Sequence, residues 1–485
     1  MTTLPPVATV VARTPWGDAR GVDLGAVRVW RGLPYAAAPL GPARFRPPRA
    51  PEPWAGEHDC SAFGPTSPQL RLPGLRGPRR RARAPRGSED CLYLNVWSPG
   101  PGGPPRPVLV WIHGGGFVSG AGSSFDGARL AARGDAVVVT INYRLGPWGH
   151  LDLAPDDADP TAPASIGYNL ALLDQIAALR WVRGAVGAFG GDPGRVTVFG
   201  ESAGAMCIGA LLAAPAARGL FHRGVLQSGV AHHVRSLAAA ETARHRFVGL
   251  LDHPPAEAST AELVSAGEAL LTALADPFLP TLDGVVLPEA PMAAVAGGSG
   301  RDVPLLVTWC RDEIELFLAL APGVVPVAEE ARARAVLGDD RWRRLLAHYA
   351  EHHGARARSA LLTDVAFARP AARLADAAHA AGGRAWMLRF DHPGASGHVA
   401  HGADLPLTWG RADAASPDQD RRVAALWQDI LLAFASSGDP ATPALPPWPH
   451  HDPGRRPVLL LSASPRVAER PDERLHAAWS TLPRP

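Results

Sequence analysis

The sequence predicts an α/β fold, with a mostly parallel central sheet flanked by helices and helical insertions after about residue 230. Three observations predict it. The runs Val108-Leu-Val-Trp-Ile112 and Ala136-Val-Val-Val-Thr-Ile141 are continuously apolar, the first stopping at a glycine cluster, as strands buried on both faces do. Between them and the next strand, Leu170, Leu172, Leu173, Ile176, Leu179 and Val182 recur at helical spacing. Arg195-Val-Thr-Val-Phe199 then reads as a strand, followed by a tight glycine turn and a small-residue helix from Ala205 to Leu212. Strand, helix, strand, turn, helix is the order of a parallel α/β sheet. The second half is richer in helix formers, predicting helices over 236–251, 260–275, 327–350 and 355–381.

Composition excludes several chemistries. All 48 basic side chains are arginine, so there is no P-loop lysine, no lysine Schiff base and no Ser-x-x-Lys nucleophile pair. A net charge of +2 makes no electrostatic case for nucleic acid or an acidic lipid surface. Arg71 to Gly87 carries seven arginines, but no aromatic residue interleaves them, so it reads as a solvated loop. The start, MTTLPPVATVVART, has neither the basic nor the apolar region of a signal peptide. The longest apolar stretch, near Ala203 to Ala217, is broken by glycine and proline and too short to span a bilayer. The expectation is a cytoplasmic protein without a membrane span. Cys60, Cys91, Cys207 and Cys310 show no C-x-x-C spacing, and H-E-x-x-H is absent. Neither a metal nor an organic cofactor is expected.

Gly200-Glu201-Ser202-Ala203-Gly204 is a G-x-S-x-G sequence lying directly between a strand and a helix. A serine hydroxyl is a weak nucleophile and has to be presented to a base. A sharp turn lifts it out of the backbone, and glycines at both ends let strand and helix pass without Cβ clashes. His113-Gly114-Gly115-Gly116-Phe117 ends the earlier buried strand. Its glycines expose N–H groups that, with the N–H of Ala203, would meet the oxyanion of a tetrahedral intermediate. Loss of one such donor typically costs about 2.7–4 kcal/mol in the transition state.

These residues resemble the type-B carboxylesterase family, and the resemblance covers nearly the whole chain. It includes Arg31-Gly-Leu-Pro-Tyr-Ala36, Ser88-Glu-Asp-Cys-Leu-Tyr-Leu-Asn95 and Asn142-Tyr-Arg-Leu-Gly146. It continues through Phe189-Gly-Gly-Asp-Pro193, Gln227-Ser-Gly229 and Leu282-Asp-Gly284. The family implies an α/β-hydrolase fold and a single catalytic domain over residues 1–485, where length alone would allow about three domains. It also implies an acid at Glu313, in Arg311-Asp-Glu313, and a base at His401, in His401-Gly-Ala-Asp404. Ser202, Glu313, His401 is the chain order of an α/β-hydrolase. From spacing alone Asp312, Glu315 and His398 are rivals.

The chain departs from the family at the acid loop, where Ile314 replaces a glycine and Thr308-Trp309 replaces Gly-Thr. Cys91 matches a family disulfide cysteine, but Ser67 occupies the usual partner position; a Cys60–Cys91 bridge is the less favoured alternative to free thiols. The tryptophan that holds choline in cholinesterases has no aromatic replacement between Phe63 and Cys91, so a choline site is not expected. Family ion pairs carry over as Arg44 with Glu89 and Arg144 with Asp174, and Glu201 and Asp404 match positions that orient the histidine segment.

The implied activity is hydrolysis of a small-molecule carboxylic ester through an acyl-enzyme on Ser202. His401 acts as general base and acid, Glu313 orients it, and Gly115, Gly116 and Ala203 form the oxyanion hole. Activity is expected to rise with pH through about 6.5, the unperturbed histidine pKa. Amide or carbamate cleavage and acyl transfer share the acyl-enzyme and stay open as alternatives. A non-catalytic adhesion or binding homologue is disfavoured because serine, acid, histidine and both glycine motifs are present. The sequence does not set the oligomeric state.

Overall fold

The computed structural model describes residues 8–71, 87–100, 102–155, 166–320, 325–393, 397–410, 416–471 and 479. Most of the arginine-rich 71–87 segment lies outside them. The strands Val137–Ile141, Arg106–Ile112, Gly191–Glu201, Arg223–Gln227, Leu305–Cys310, Ala385–Phe390 and Pro457–Leu461 run side by side in that order, all parallel. Antiparallel strands extend both edges, Tyr93–Ser98 beside Val137–Ile141 and Arg466–Glu469 beside Pro457–Leu461. The expected mostly parallel sheet is therefore present.

Both faces of this sheet are buried, and strand periodicity sorts the side chains between them. Val108, Val110 and Ile112 join one core with Trp181 and Phe189, while Leu109 and Trp111 join the other with Phe199, Trp409 and Trp427. This explains why the strand reads as an unbroken apolar run rather than an alternating one. The helices Leu170–Ala185 and Ala203–Ala213 cover the first face, and Asp418–Ser437 covers the second.

In the second half, Leu237–Val248 and Thr260–Ala273 form as the sequence predicts, each capped by a serine side chain that accepts from the backbone. The two longer predicted helices are each broken. Gly338, at φ 79°, ends Val325–Leu337 before Asp339–His353 begins. Over 355–381, Ala357–Thr363 and Arg369–Ala380 are joined by a π-helical turn, Asp364–Ala368. Pro370 has no N–H to offer the Ala366 carbonyl, so that α-helical bond cannot form, and the Arg369 N–H reaches back to the Asp364 carbonyl.

All four cysteines are buried free thiols, so the Cys60–Cys91 bridge is absent. Both ion pairs form. Arg44 meets Glu89 at 2.6 Å. Arg144 holds Asp174 in a bidentate pair at 2.7 and 2.8 Å, with side chains 3% and 0% exposed. Asp174→Ala strands a buried guanidinium, for which a loss of about 3–5 kcal/mol is expected. Urea unfolding monitored by tryptophan fluorescence measures it, and a midpoint matching wild type would refute the structural role. Among the described residues no helix is long and apolar enough to cross a membrane.

Candidate active site

The carboxyl ends of the parallel strands, where open α/β sheets place their ligands, bring the motif residues together. Ile112 pairs with Gly200 and Glu201 with Gln227, so the glycine loop, the serine turn and the Gln227-Ser-Gly229 segment emerge side by side. Ser202 stands between the strand Gly191–Glu201 and the helix Ala203–Ala213 with φ 55° and ψ −125°. That conformation costs a non-glycine residue of order 1–3 kcal/mol and survives only where its surroundings impose it. Here they do. A Cβ on Gly200 would lie 2.7 Å from the Ile112 carbonyl oxygen, and one on Gly204 would strike the same atom. The Ser202 N–H donates to the Gln227 carbonyl at 2.8 Å.

The glycine loop is held from behind. The buried His113 ring stacks on Tyr143 with centroids 4.5 Å apart, and its Nδ1 lies 2.9 Å from the Gly114 carbonyl. The Tyr143 hydroxyl donates to the His113 carbonyl at 2.7 Å. Burial pushes the His113 pKa down to about 4, so the ring is neutral at physiological pH. Gly115 and Gly116 adopt φ 113° and 63°, and the Gly115 carbonyl turns away to accept from Val118 and Ser119. Among the described residues the N–H groups of Gly115, Gly116 and Ala203 donate no hydrogen bond.

His401 reaches the same place from the loop before Leu405–Thr408. Its Nδ1 lies 2.7 Å from Glu313 Oε2, and its N–H donates to the Glu313 carbonyl at 3.3 Å. The second Glu313 oxygen accepts from the Cys310 N–H at 2.7 Å. Glu313 is fully buried, and Ile314 behind it is buried too, its N–H donating to Thr363. The substitution of a glycine by Ile314 therefore leaves the acid facing the histidine. The two acidic rivals are occupied elsewhere: Asp312 by Arg311, Arg356 and the Val399 N–H, Glu315 by the Ser359 hydroxyl.

Glu201, expected to orient the histidine segment, touches the His401 ring itself. Its Oε1 lies 3.1 Å from His401 Nε2, while the Ser202 hydroxyl has no hydrogen-bond partner among the described residues. Burial lifts the Glu201 pKa to about 8, against the pull of the His401 charge. Burial also opposes charge on His401, but Glu201 and Glu313 outweigh it and hold the imidazole up at about 9. Two carboxylates facing the ring from opposite sides therefore raise it above the unperturbed 6.5 expected from sequence. Asp404, lifted to about 6 by burial, accepts from the Gln227 amide and so ties the histidine segment to the strand end beneath Ser202. Phe317 and Phe367 shield His401, with centroids 5.0 and 5.3 Å away. Sequence reasoning missed both rings. Phe317 lies four residues after Glu313, one helical turn along, a spacing that could have identified it; no local signal marks Phe367.

Among the described residues one group could offer three ligands to a metal, His348, Glu351 and His352 on the helix Asp339–His353, and it forms no part of the Ser202 site.

The model of the carboxylesterase family matches residues 8–479. The chain belongs to that family. It is 37% identical to para-nitrobenzyl esterase of Bacillus subtilis strain 168, over 95% of this chain and 96% of that one. Phenmedipham hydrolase of Pseudarthrobacter oxydans is 34% identical, over 90% of this chain and 92% of the relative. Among solved structures, the Geobacillus stearothermophilus carboxylesterase EST55 at pH 6.2 superposes with a TM-score of 0.84 at 34% identity, covering 97% and 99% of the two chains. A para-nitrobenzyl esterase structure gives the same TM-score and identity over 96% and 99%. The fold is the α/β-hydrolase fold, and this carboxylesterase is a carboxylic ester hydrolase.

Proposed function

We propose that this carboxylesterase cleaves its ester through an acyl-enzyme on Ser202, with His401 as general base and acid and Glu313 as its orienting carboxylate. The observation that carries the reading is the 2.7 Å contact from Glu313 to His401 Nδ1. It fixes the tautomer with the proton on Nδ1, leaving Nε2 able to take the hydroxyl proton of Ser202. The alkoxide oxygen attacks the ester carbonyl, and the resulting oxyanion is met by the N–H groups of Gly115, Gly116 and Ala203. His401 returns the proton to the leaving alcohol. Water, deprotonated by the same nitrogen, then attacks the acyl-enzyme and releases the carboxylic acid and free Ser202. Glu201, facing Nε2, favours the imidazolium that forms after each proton transfer, an assistance absent from a bare serine–histidine–acid arrangement. The substrate is a small-molecule ester.

Diethyl para-nitrophenyl phosphate tests the nucleophile directly. The expected result is release of one para-nitrophenolate per chain, loss of esterase activity, and a diethylphosphoryl mass increment on the peptide that contains Ser202. An increment confined to another residue, or full ester turnover by the modified protein, overturns the assignment.

A further inference from the structure

Two segments lead from the Ser202 site to a second space in the molecule. Gln227-Ser-Gly229 continues to His232 and His233, and Phe367, whose ring shields His401, is preceded by Val365 and Ala366. His232, His233, Val365 and Ala366 border a cavity of about 850 Å³ whose lining includes none of Ser202, Glu313 or His401. The volume lies within the roughly 300–1,000 Å³ of small-molecule sites. Its lining is divided. Val234, Leu279, Met292 and Val365 form an apolar wall, and Val336, 65% exposed, stands at its edge.

The remaining wall is cationic: five arginines and three carboxylates line the cavity. All three carboxylates are already engaged. Asp276 and Glu329 are both held by Arg332, and Asp376 is held by His451 and Arg456. Arg369 and Arg373 are left over, one turn apart on the helix Arg369–Ala380 and so on one face of it. The Arg369 guanidinium carbon lies over the Trp479 ring, 4.1 Å from its centroid, a cation–π contact that leaves its N–H groups without a carboxylate partner among the described residues. Arg373 ion-pairs with none of the described residues. The histidines register the excess positive field: burial, Arg373 and Arg332 together push His232 down to about 4. The Nδ1 atoms of His232 and His233 are buried without hydrogen-bond partners.

We propose that this cavity binds an amphiphilic carboxylate, its alkyl chain against the apolar wall and its head group on Arg369 and Arg373. An anion there satisfies two guanidinium groups in the geometry that arginine favours for carboxylates. A neutral alcohol of the same length fills the same volume but leaves both charges uncompensated. The binding is independent of ester chemistry at Ser202.

Titration calorimetry of the full chain with decanoate, decanol and acetate tests it. Decanoate is expected to bind one per chain, at least tenfold more tightly than decanol or acetate. The double variant Arg369→Gln/Arg373→Gln is expected to lose at least tenfold for decanoate and to bind decanol as wild type does. Arg373→Glu alone, at an exposed position, is expected to act in the same direction and serves if the double variant fails to fold. Decanoate binding no tighter than decanol, binding unchanged in Arg373→Glu, or no decanoate binding at all overturns the proposal.

Discussion

Replacing Ser202 by alanine is expected to lower kcat on para-nitrophenyl butyrate by about 10⁶-fold, the loss typical when a serine hydrolase loses its nucleophile. The substitution removes one oxygen and leaves the imposed backbone of the turn in place. Gly200 and Gly204 still bring strand and helix within contact distance, and the Ser202 N–H bond to the Gln227 carbonyl does not involve the side chain. The substrate site is therefore kept, and KM is expected to stay within a fewfold of wild type. The residue of activity is the part that belongs to the glycine-loop N–H groups and to binding, roughly 10³–10⁴ over the uncatalysed rate. Steady-state kinetics on enzyme expressed from separate cultures measures the drop, and a decrease smaller than about tenfold would remove Ser202 as nucleophile. The same variant should show no diethylphosphoryl adduct.

Local chemistry explains which parts of this molecule the sequence discloses. The serine turn is legible because its constraint is local: two glycines, a strand before and a helix after are all the geometry requires, and all five residues are contiguous. The strands beside it are legible because burial on both faces forces an unbroken apolar run. The partnership of Glu313 with His401 is different. Eighty-eight residues separate the two, and only family resemblance distinguishes them from Asp312, Glu315 and His398. The approach of Glu201 to His401 Nε2 is less visible still, since it depends on how far the histidine loop descends onto the serine turn. The π turn at Asp364–Ala368 illustrates a missed local signal: Pro370 is in plain view, yet Ala, Leu and Arg on both sides read as one helix. The arginine-lined cavity is beyond reach because its lining comes from seven separate stretches of chain.

Glu313→Gln is expected to lower kcat by about 10⁴-fold, which corresponds to about 5.5 kcal/mol in the transition state. The amide keeps the shape of the side chain but can present its NH₂ to Nδ1, favouring the tautomer that places the proton on Nε2, where it blocks acceptance from Ser202. The pH profile separates this from simple misfolding. With neutral His401 as the proposed base, wild-type kcat/KM is expected to be low in acid and to rise with pH through an apparent pKa well above 6.5, toward the value of about 9 favoured by Glu201 and Glu313. Removing the Glu313 charge withdraws one of the two carboxylates that favour the imidazolium, and the rising limb is expected to move to lower pH. The plateau falls while the limb shifts toward acid, a pair of changes that loss of folded protein does not produce. Glu201 still faces Nε2 in the variant, so the shift is expected to be partial; Glu201→Gln/Glu313→Gln should carry the limb further in the same direction. A wild-type profile already level below pH 6, or a variant limb displaced toward alkali, would show that these carboxylates do not hold the proton on His401.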